Sequence, residues 1–226
     1  MGEFKLLVSD LAGTVLSDDG VVVGAFKEAF ASHDIPYHDD ELLGLRGASK
    51  RRVFRQFAER AGMNDPDGIA SDALRSFNCA LQAQYESGEI SEVTGATAAL
   101  TEMRDMGIAL ALTSGFDSSL IDIICNRLGW TDLFTAKIGS DQVTEGRPAP
   151  YLIFEAMARA GVHDVRRTIV TGDTPLDLQA GMNAGAGWVV GVLTGPHDIE
   201  TLGATAHTHL LPDITGLPEL VRRVTT

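Results

Sequence analysis

The stretch Phe4-Lys5-Leu6-Leu7-Val8-Ser9-Asp10-Leu11-Ala12-Gly13-Thr14 decides the fold. It reads as a buried apolar strand that ends in an acid and a glycine turn. A carboxylate at a strand end is placed to attack phosphorus and form an aspartyl phosphate, which splits one hard displacement into two easier ones. Gly13 lets the backbone turn tightly, and Thr14 offers hydroxyl and amide donors to phosphate oxygens. Taken alone, an ordinary strand-to-loop turn accounts for these residues more simply, because Asp and Gly are common there.

The rest of the chain supplies the context. Phe4 to Ser9, Ile108 to Thr113, Ala136 to Gly139, Thr168 to Thr171 and Trp188 to Val192 read as buried strands. Helical patterns at Asp117 to Leu128, Ala149 to Ala160 and Pro175 to Ala184 separate the later ones. Strands alternating with helices predict a parallel sheet covered on both faces, with ligands beyond the carboxyl ends of its strands. Residues 18–91 break the rhythm and show helical periodicity alone. Ala25, Phe26, Ala29 and Phe30 form one apolar face; Val53, Phe54, Phe57, Ala58 and Ala61 form another; a third helix spans Ile69 to Tyr85. The expected architecture is therefore a doubly wound, Rossmann-like α/β core from residues 1–17 and 92–226, with an all-helical cap inserted at 18–91.

A second acidic strand end follows the design of the first. In Thr168-Ile169-Val170-Thr171-Gly172-Asp173-Thr174-Pro175-Leu176-Asp177, an apolar run leads to a glycine and an acid, with another acid four residues on. After Pro175, Asp177 falls in a first helical turn, so both carboxylates face one crevice. Oxygen donors with room for water suit Mg²⁺. Asp173 is the stronger candidate ligand, since Asp177 is also explained by charge complementarity at a helix start. Two phosphate-binding candidates lie between the acid clusters. Thr113-Ser114-Gly115 places a hydroxyl and amides at a helix start. Arg147, in Gly146-Arg147-Pro148-Ala149-Pro150, precedes a helix and has two donors for phosphate oxygens. A capping threonine and a solvated arginine are the plainer accounts of each in isolation.

Composition narrows the partners. With 18 Lys and Arg against 31 Asp and Glu, the net charge is −13, which disfavours nucleic acid and anionic membranes. A phosphorylated or phosphonate substrate then needs local positive charge from a metal, Arg or Lys. Cys79 and Cys125 are too far apart for a CxxC pattern and fit a reducing compartment. Met1 to Lys5 shows no signal-peptide pattern, and Leu6 stands where a myristoylation motif has Ser or Thr. No apolar run approaches the roughly 18 residues that span a bilayer. A soluble, cytoplasmic protein is expected.

The four segments, in this order, resemble the haloacid dehalogenase superfamily: an Asp-x-x-Gly-Thr strand end, a Thr/Ser strand end, a basic residue, then Gly-Asp-x-x-x-Asp. The resemblance covers essentially the whole chain. It implies that Asp10 is the nucleophile and that Mg²⁺ is held by Asp10, the Ala12 carbonyl and Asp173, with Asp177 nearby. It also implies that Thr113 and Arg147 hold the phosphoryl group.

Two departures from the usual phosphatase pattern sharpen this. Ordinary members carry a second Asp two residues after the nucleophile to protonate the leaving alcohol; here that residue is Ala12. The usual lysine of the third motif is Arg147. Both features resemble the phosphonoacetaldehyde hydrolases (phosphonatases), which also use a cap lysine to form an imine with the substrate aldehyde. Lys50, in Arg46-Gly47-Ala48-Ser49-Lys50, matches that lysine in motif and spacing. An imine cation withdraws electrons from the carbon–phosphorus bond, so carbon departs as a neutral enamine that needs no proton from residue 12. Arg51 and Arg52 beside Lys50 would favour its neutral form. An electrostatic clamp, or a helix-start lysine with no further role, also accounts for Lys50.

The resemblance is incomplete around this lysine. Phosphonatases have Met four residues before it and His three after it, where this chain has Arg46 and Val53, and Phe116 stands in place of their Tyr. A related 2-oxoalkylphosphonate then becomes a candidate substrate, with Gly47 and Arg46 beside it and Arg46 available to an additional anionic group. A phosphomonoesterase on a small phosphate such as phosphoglycolate, and a non-catalytic binding protein, are the alternative readings. The resemblance further implies a homodimer formed through the caps. The six histidines read as surface residues, with His207 and His209 on one face of a late strand, and Trp130 and Trp188 as packing. Asp39-Asp40-Glu41 reads as a helix start.

Overall fold

The computed structural model of the chain describes residues 4–18, 20–42 and 49–225. Six parallel strands form one sheet: β1 (Leu6–Asp10), β2 (Ala109–Thr113), β3 (Ala136–Ile138), β4 (Thr168–Gly172), β5 (Trp188–Val192) and β6 (His209–Leu211). Their spatial order is β3-β2-β1-β4-β5-β6. β1 is fully buried because helices cover both faces of the sheet. Leu7 joins a core with Leu100, Met103, Ile121, Ile124 and Val221 of α4 (Ala96–Asp105), α5 (Ser118–Arg127) and α9 (Leu217–Thr225). Leu6 and Val8 point the other way, onto Leu152, Ala156, Ala180 and Ala184 of α6 (Tyr151–Ala160) and α7 (Pro175–Ala184). A short α8 (Ile199–Gly203) connects β5 to β6.

Between β1 and β2 the chain builds α1 (Val21–Ser32), α2 (Lys50–Arg60) and α3 (Pro66–Ser87). The β-to-helix alternation fails here because the apolar residues recur at helical spacing. Asp65 and Pro66 start α3, the Asp65 carboxylate accepting the Gly68 N–H at 3.1 Å. Phe26, Phe54 and Phe77, one from each helix, meet with ring centroids 4.7 to 5.9 Å apart. The insert leaves and re-enters the core at adjacent points: Leu16 bridges to Glu92, and the Ser17 N–H donates to the Ser91 carbonyl at 2.9 Å. α3 also lies on α5, where Asn78 Nδ2 donates to Asp117 at 2.7 Å and Arg127 Nη1 donates to the Tyr85 and Gly88 carbonyls at 2.8 Å.

Several sequence expectations need correction. β1 extends through Asp10, which pairs with Thr113, so the acid belongs to the strand rather than to the turn. By contrast, Asp39 to Glu41 form a 3₁₀ turn, at whose start the Glu41 carboxylate accepts the His38 N–H at 2.9 Å, a capping box that bears out the expected helix-start pattern within the described residues. His207 lies outside β6, its ring bonded to the Thr205 carbonyl at 2.7 Å, so it shares no strand face with His209. No helix among the described residues is long and apolar enough to cross a membrane. Phe77→Ala removes the α3 ring from the aromatic cluster and is expected to destabilise the chain by about 3–5 kcal/mol, measured as a lowered urea midpoint.

Candidate active site

The strand order sets the site's location. The chain runs outward from β1 through β2 and β3, then returns to β4 on the other side of β1. The crevice beyond the carboxyl ends of β1 and β4 is therefore the point where strand order reverses. Asp10 ends β1, and Asp173 follows the last residue of β4. Gly13 has φ +93°, a left-handed turn that sends the chain back toward β4, and a Cβ there would collide with the Asp173 carboxylate. A Cβ at Gly195, in the loop after β5, would collide with the same carboxylate. Both glycines let backbone close around Asp173.

Arg147 joins these strand ends. Its Nη1 donates to Asp10 Oδ1 at 2.6 Å and lies 2.8 Å from Asp177 Oδ1. Its Nη2 donates to the Thr113 hydroxyl at 2.8 Å and to the Thr113 carbonyl at 3.1 Å. Burial opposes the charge on this guanidinium, but Asp10, Asp177 and Asp173 outweigh it and hold the group above its ordinary pKa. Burial likewise pushes the Asp177 carboxyl up, to about 6, with Arg147 pulling it down and Asp10 pushing it up. Asp177 also closes a capping box at the start of α7: Thr174 donates its N–H and its hydroxyl to Asp177 Oδ2 at 3.0 and 2.5 Å.

Asp10, Asp173 and Asp177 are all buried, and each brings a carboxylate oxygen within 4.8 Å of the others. When ionised, they exceed the charge of the guanidinium among them, an excess that a divalent cation would match. The all-oxygen donor set suits Mg²⁺. The residues present therefore fit a magnesium ion.

A small cavity of about 30 Å³ connects this cluster to the helical insert. Asp10, Ala12, Arg147 and Thr174 line it from the core, and Asp18 and Lys50 from the insert's side. Lys50 opens α2, is 5% exposed, and has its Nζ 5.4 Å from the centre of the Phe26 ring. A larger adjoining cavity of about 570 Å³ shares Lys50, Gly115 and Arg147 with the small one. Arg51 and Arg52 line it on one side, with Asp117 and Asp141 on the other.

The structure thus brings Asp10, Ala12, Lys50, Thr113, Ser114, Gly115, Arg147, Asp173 and Asp177 to one place. Two expectations change in detail. The Thr14 hydroxyl donates to Asp173 Oδ1 at 2.9 Å instead of facing a ligand, because the turn at Gly13 carries it toward β4. The Ser114 N–H continues the sheet ladder to the Ile138 carbonyl at 3.1 Å, and its Oγ accepts the Phe116 N–H at 3.1 Å. The Ser114 amide is therefore committed to the sheet. Arg46 and Gly47 lie outside the described residues. Sequence reading missed Asp18 and the Thr194-Gly195 loop, where the Thr194 hydroxyl donates to the Gly13 carbonyl at 2.5 Å. The position of that loop just after a buried strand was the available signal for the second.

The fold and the carboxylate crevice define a hydrolase of one class. The model for the haloacid dehalogenase-like hydrolases matches residues 7–190, and the chain belongs to that family. Within it the chain is phosphonatase-like. It is 27% identical over 208 residues to a phosphonoacetaldehyde hydrolase of Paraburkholderia xenovorans, covering 85% of this chain and 76% of the relative. A Bacillus cereus phosphonoacetaldehyde hydrolase is 30% identical over 215 residues, covering 87% and 78% respectively. A hydrolase structure from Pseudomonas syringae shares the fold, with a TM-score of 0.84 at 22% identity over 97% of this chain and 99% of that one.

Arg147→Met removes the buried cation and leaves its carboxylate partners facing one another. It is expected to cost about 3–5 kcal/mol of stability in metal-free urea unfolding at pH 7.

Proposed function

We propose that this chain hydrolyses the carbon–phosphorus bond of phosphonoacetaldehyde or a related 2-oxoalkylphosphonate, with residues 18–91 acting as its cap. The observation that carries the reading is the buried Lys50, which lines the same small cavity as Asp10 and Ala12. The cavity beside the nucleophile thus has Ala12 where ordinary phosphatases of the family carry an acid, and an amine contributed by Lys50 of α2.

In this scheme Lys50 attacks the substrate carbonyl, and loss of water gives a cationic imine. Asp10 then takes the phosphoryl group, and the electrons of the broken bond move onto the imine as it becomes a neutral enamine. Ala12 suits this step, because an enamine leaves without being protonated. Water hydrolyses the aspartyl phosphate, and hydrolysis of the imine formed on protonating the enamine releases the aldehyde and Lys50. Before substrate arrives, Arg147 pairs with Asp10. With substrate bound, its two-pronged donor set suits the phosphoryl oxygens, alongside Thr113. Asp10, the Ala12 carbonyl and Asp173 would hold Mg²⁺, with Asp177 supporting them, and the ion would neutralise charge gathering on the phosphoryl group.

The test is incubation with phosphonoacetaldehyde and a small series of 2-oxoalkylphosphonates. Phosphate and the matching aldehyde or ketone are expected, with borohydride trapping the substrate carbon chain on Lys50 by mass spectrometry. Lys50→Arg should abolish both. Turnover of phosphoglycolate or another phosphate ester that survives Lys50→Arg would replace this reading with a phosphomonoesterase. EDTA is expected to stop phosphate release, and Mg²⁺ to restore it. Thr14→Val, which takes a hydrogen bond from Asp173, should weaken Mg²⁺ binding by about 10- to 100-fold in calorimetric titration.

A further inference from the structure

Imine formation needs a proton carrier as well as an amine. A lysine ammonium must lose a proton before it attacks, and the carbinolamine oxygen must gain one before it leaves as water. Neither Ala12 nor Arg147 performs that task, the first having no ionisable group and the second staying charged. Asp10 is occupied by Arg147 and is the proposed phosphoryl acceptor.

Asp18 is the remaining carboxylate lining the small cavity among the described residues, and Lys50 lines the same cavity. Three contacts fix its position. The Ser17 N–H is bonded to Ser91, Leu16 bridges to Glu92, and Asp18 Oδ1 accepts the Val22 N–H at 3.3 Å in the first turn of α1. Its second oxygen, Oδ2, is buried. A carboxylate anchored by one oxygen to a helix start, on a residue that lines the cavity Lys50 also lines, is held in position for proton transfer.

We propose that Asp18 is the acid–base residue that serves Lys50, an inference that rests on the imine reading of this site. The Asp18 carboxylate takes a proton from the Lys50 ammonium, and the neutral amine adds to the substrate carbonyl. A second nitrogen proton moves to the oxygen as the carbinolamine forms. The Asp18 carboxyl then returns its proton to the carbinolamine hydroxyl, which leaves as water while the nitrogen lone pair forms the iminium. The ammonium thus gives up two of its three protons, both of which end in that water, and Asp18 finishes as the carboxylate it began as. The reverse sequence releases the product carbonyl compound from Lys50.

Asp18→Asn tests this, since the amide keeps an oxygen to cap α1 but carries no proton between groups. The rate of borohydride trapping at Lys50 with phosphonoacetaldehyde and the steady-state kcat/KM are both expected to fall by about 100-fold or more. Mg²⁺ affinity and the circular dichroism spectrum should match the wild type. Asp18→Ser, which also retains a capping oxygen, is read the same way if the Asn variant does not fold. Trapping and turnover within about threefold of wild type in a folded variant would overturn the role of Asp18 while leaving the imine at Lys50 intact. A wild-type enzyme that releases no phosphate and traps no substrate would overturn the imine reading itself, and this role with it.

Discussion

A single buried guanidinium ties the candidate site together. Arg147 reaches the end of β1 through Asp10, the end of β2 through Thr113, and the start of α7 through Asp177. Without a cation, three carboxylates would be held close together in a buried crevice, where their negative charges would repel one another. With it, Asp10 is bonded on the sheet edge and Asp177 remains within the α7 cap. A magnesium ion would balance the excess negative charge, while the arginine fixes where the carboxylates stand.

Much of this was legible in the sequence because strand ends in a parallel sheet are marked by abrupt changes in composition. Leu6 to Val8 and Ile169 to Val170 are apolar runs, and the acids that follow them fall at the carboxyl edge of the sheet. Trp188–Val192 and Pro175–Ala184 were bounded correctly for the same reason, with Pro175 at the first helical position. The insert's helices followed from the spacing of Phe26, Phe30, Phe54 and Phe57, although α3 runs beyond the expected ends at both termini.

Residues whose roles depend on tertiary placement were harder to read. Asp18 looks like an ordinary loop acid until α1 and α2 fold beside it. Thr14 carries the right chemistry for an anion, but a left-handed turn at its neighbour aims it at Asp173 instead. Ser114 gives its amide to the Ile138 carbonyl of β3, a strand the sequence marks without giving its register against β2. In each case local pattern identified the atom type while strand register and turn geometry chose its partner.

The paired crossings at Leu16 to Ser17 and Ser91 to Glu92 bear on how the sheet feels changes in the helical segment. Since the chain departs and returns through neighbouring, hydrogen-bonded positions, the helical segment closes as a loop at the sheet, with α3 resting on α5 beside it. Doubling such a loop costs only about 0.6 kcal/mol in closure entropy. Lys50 travels with that segment, while Asp10, Arg147 and Asp173 stay with the sheet. Changes of length within that segment are therefore expected to alter the surroundings of Lys50 more than the carboxylate crevice on the sheet.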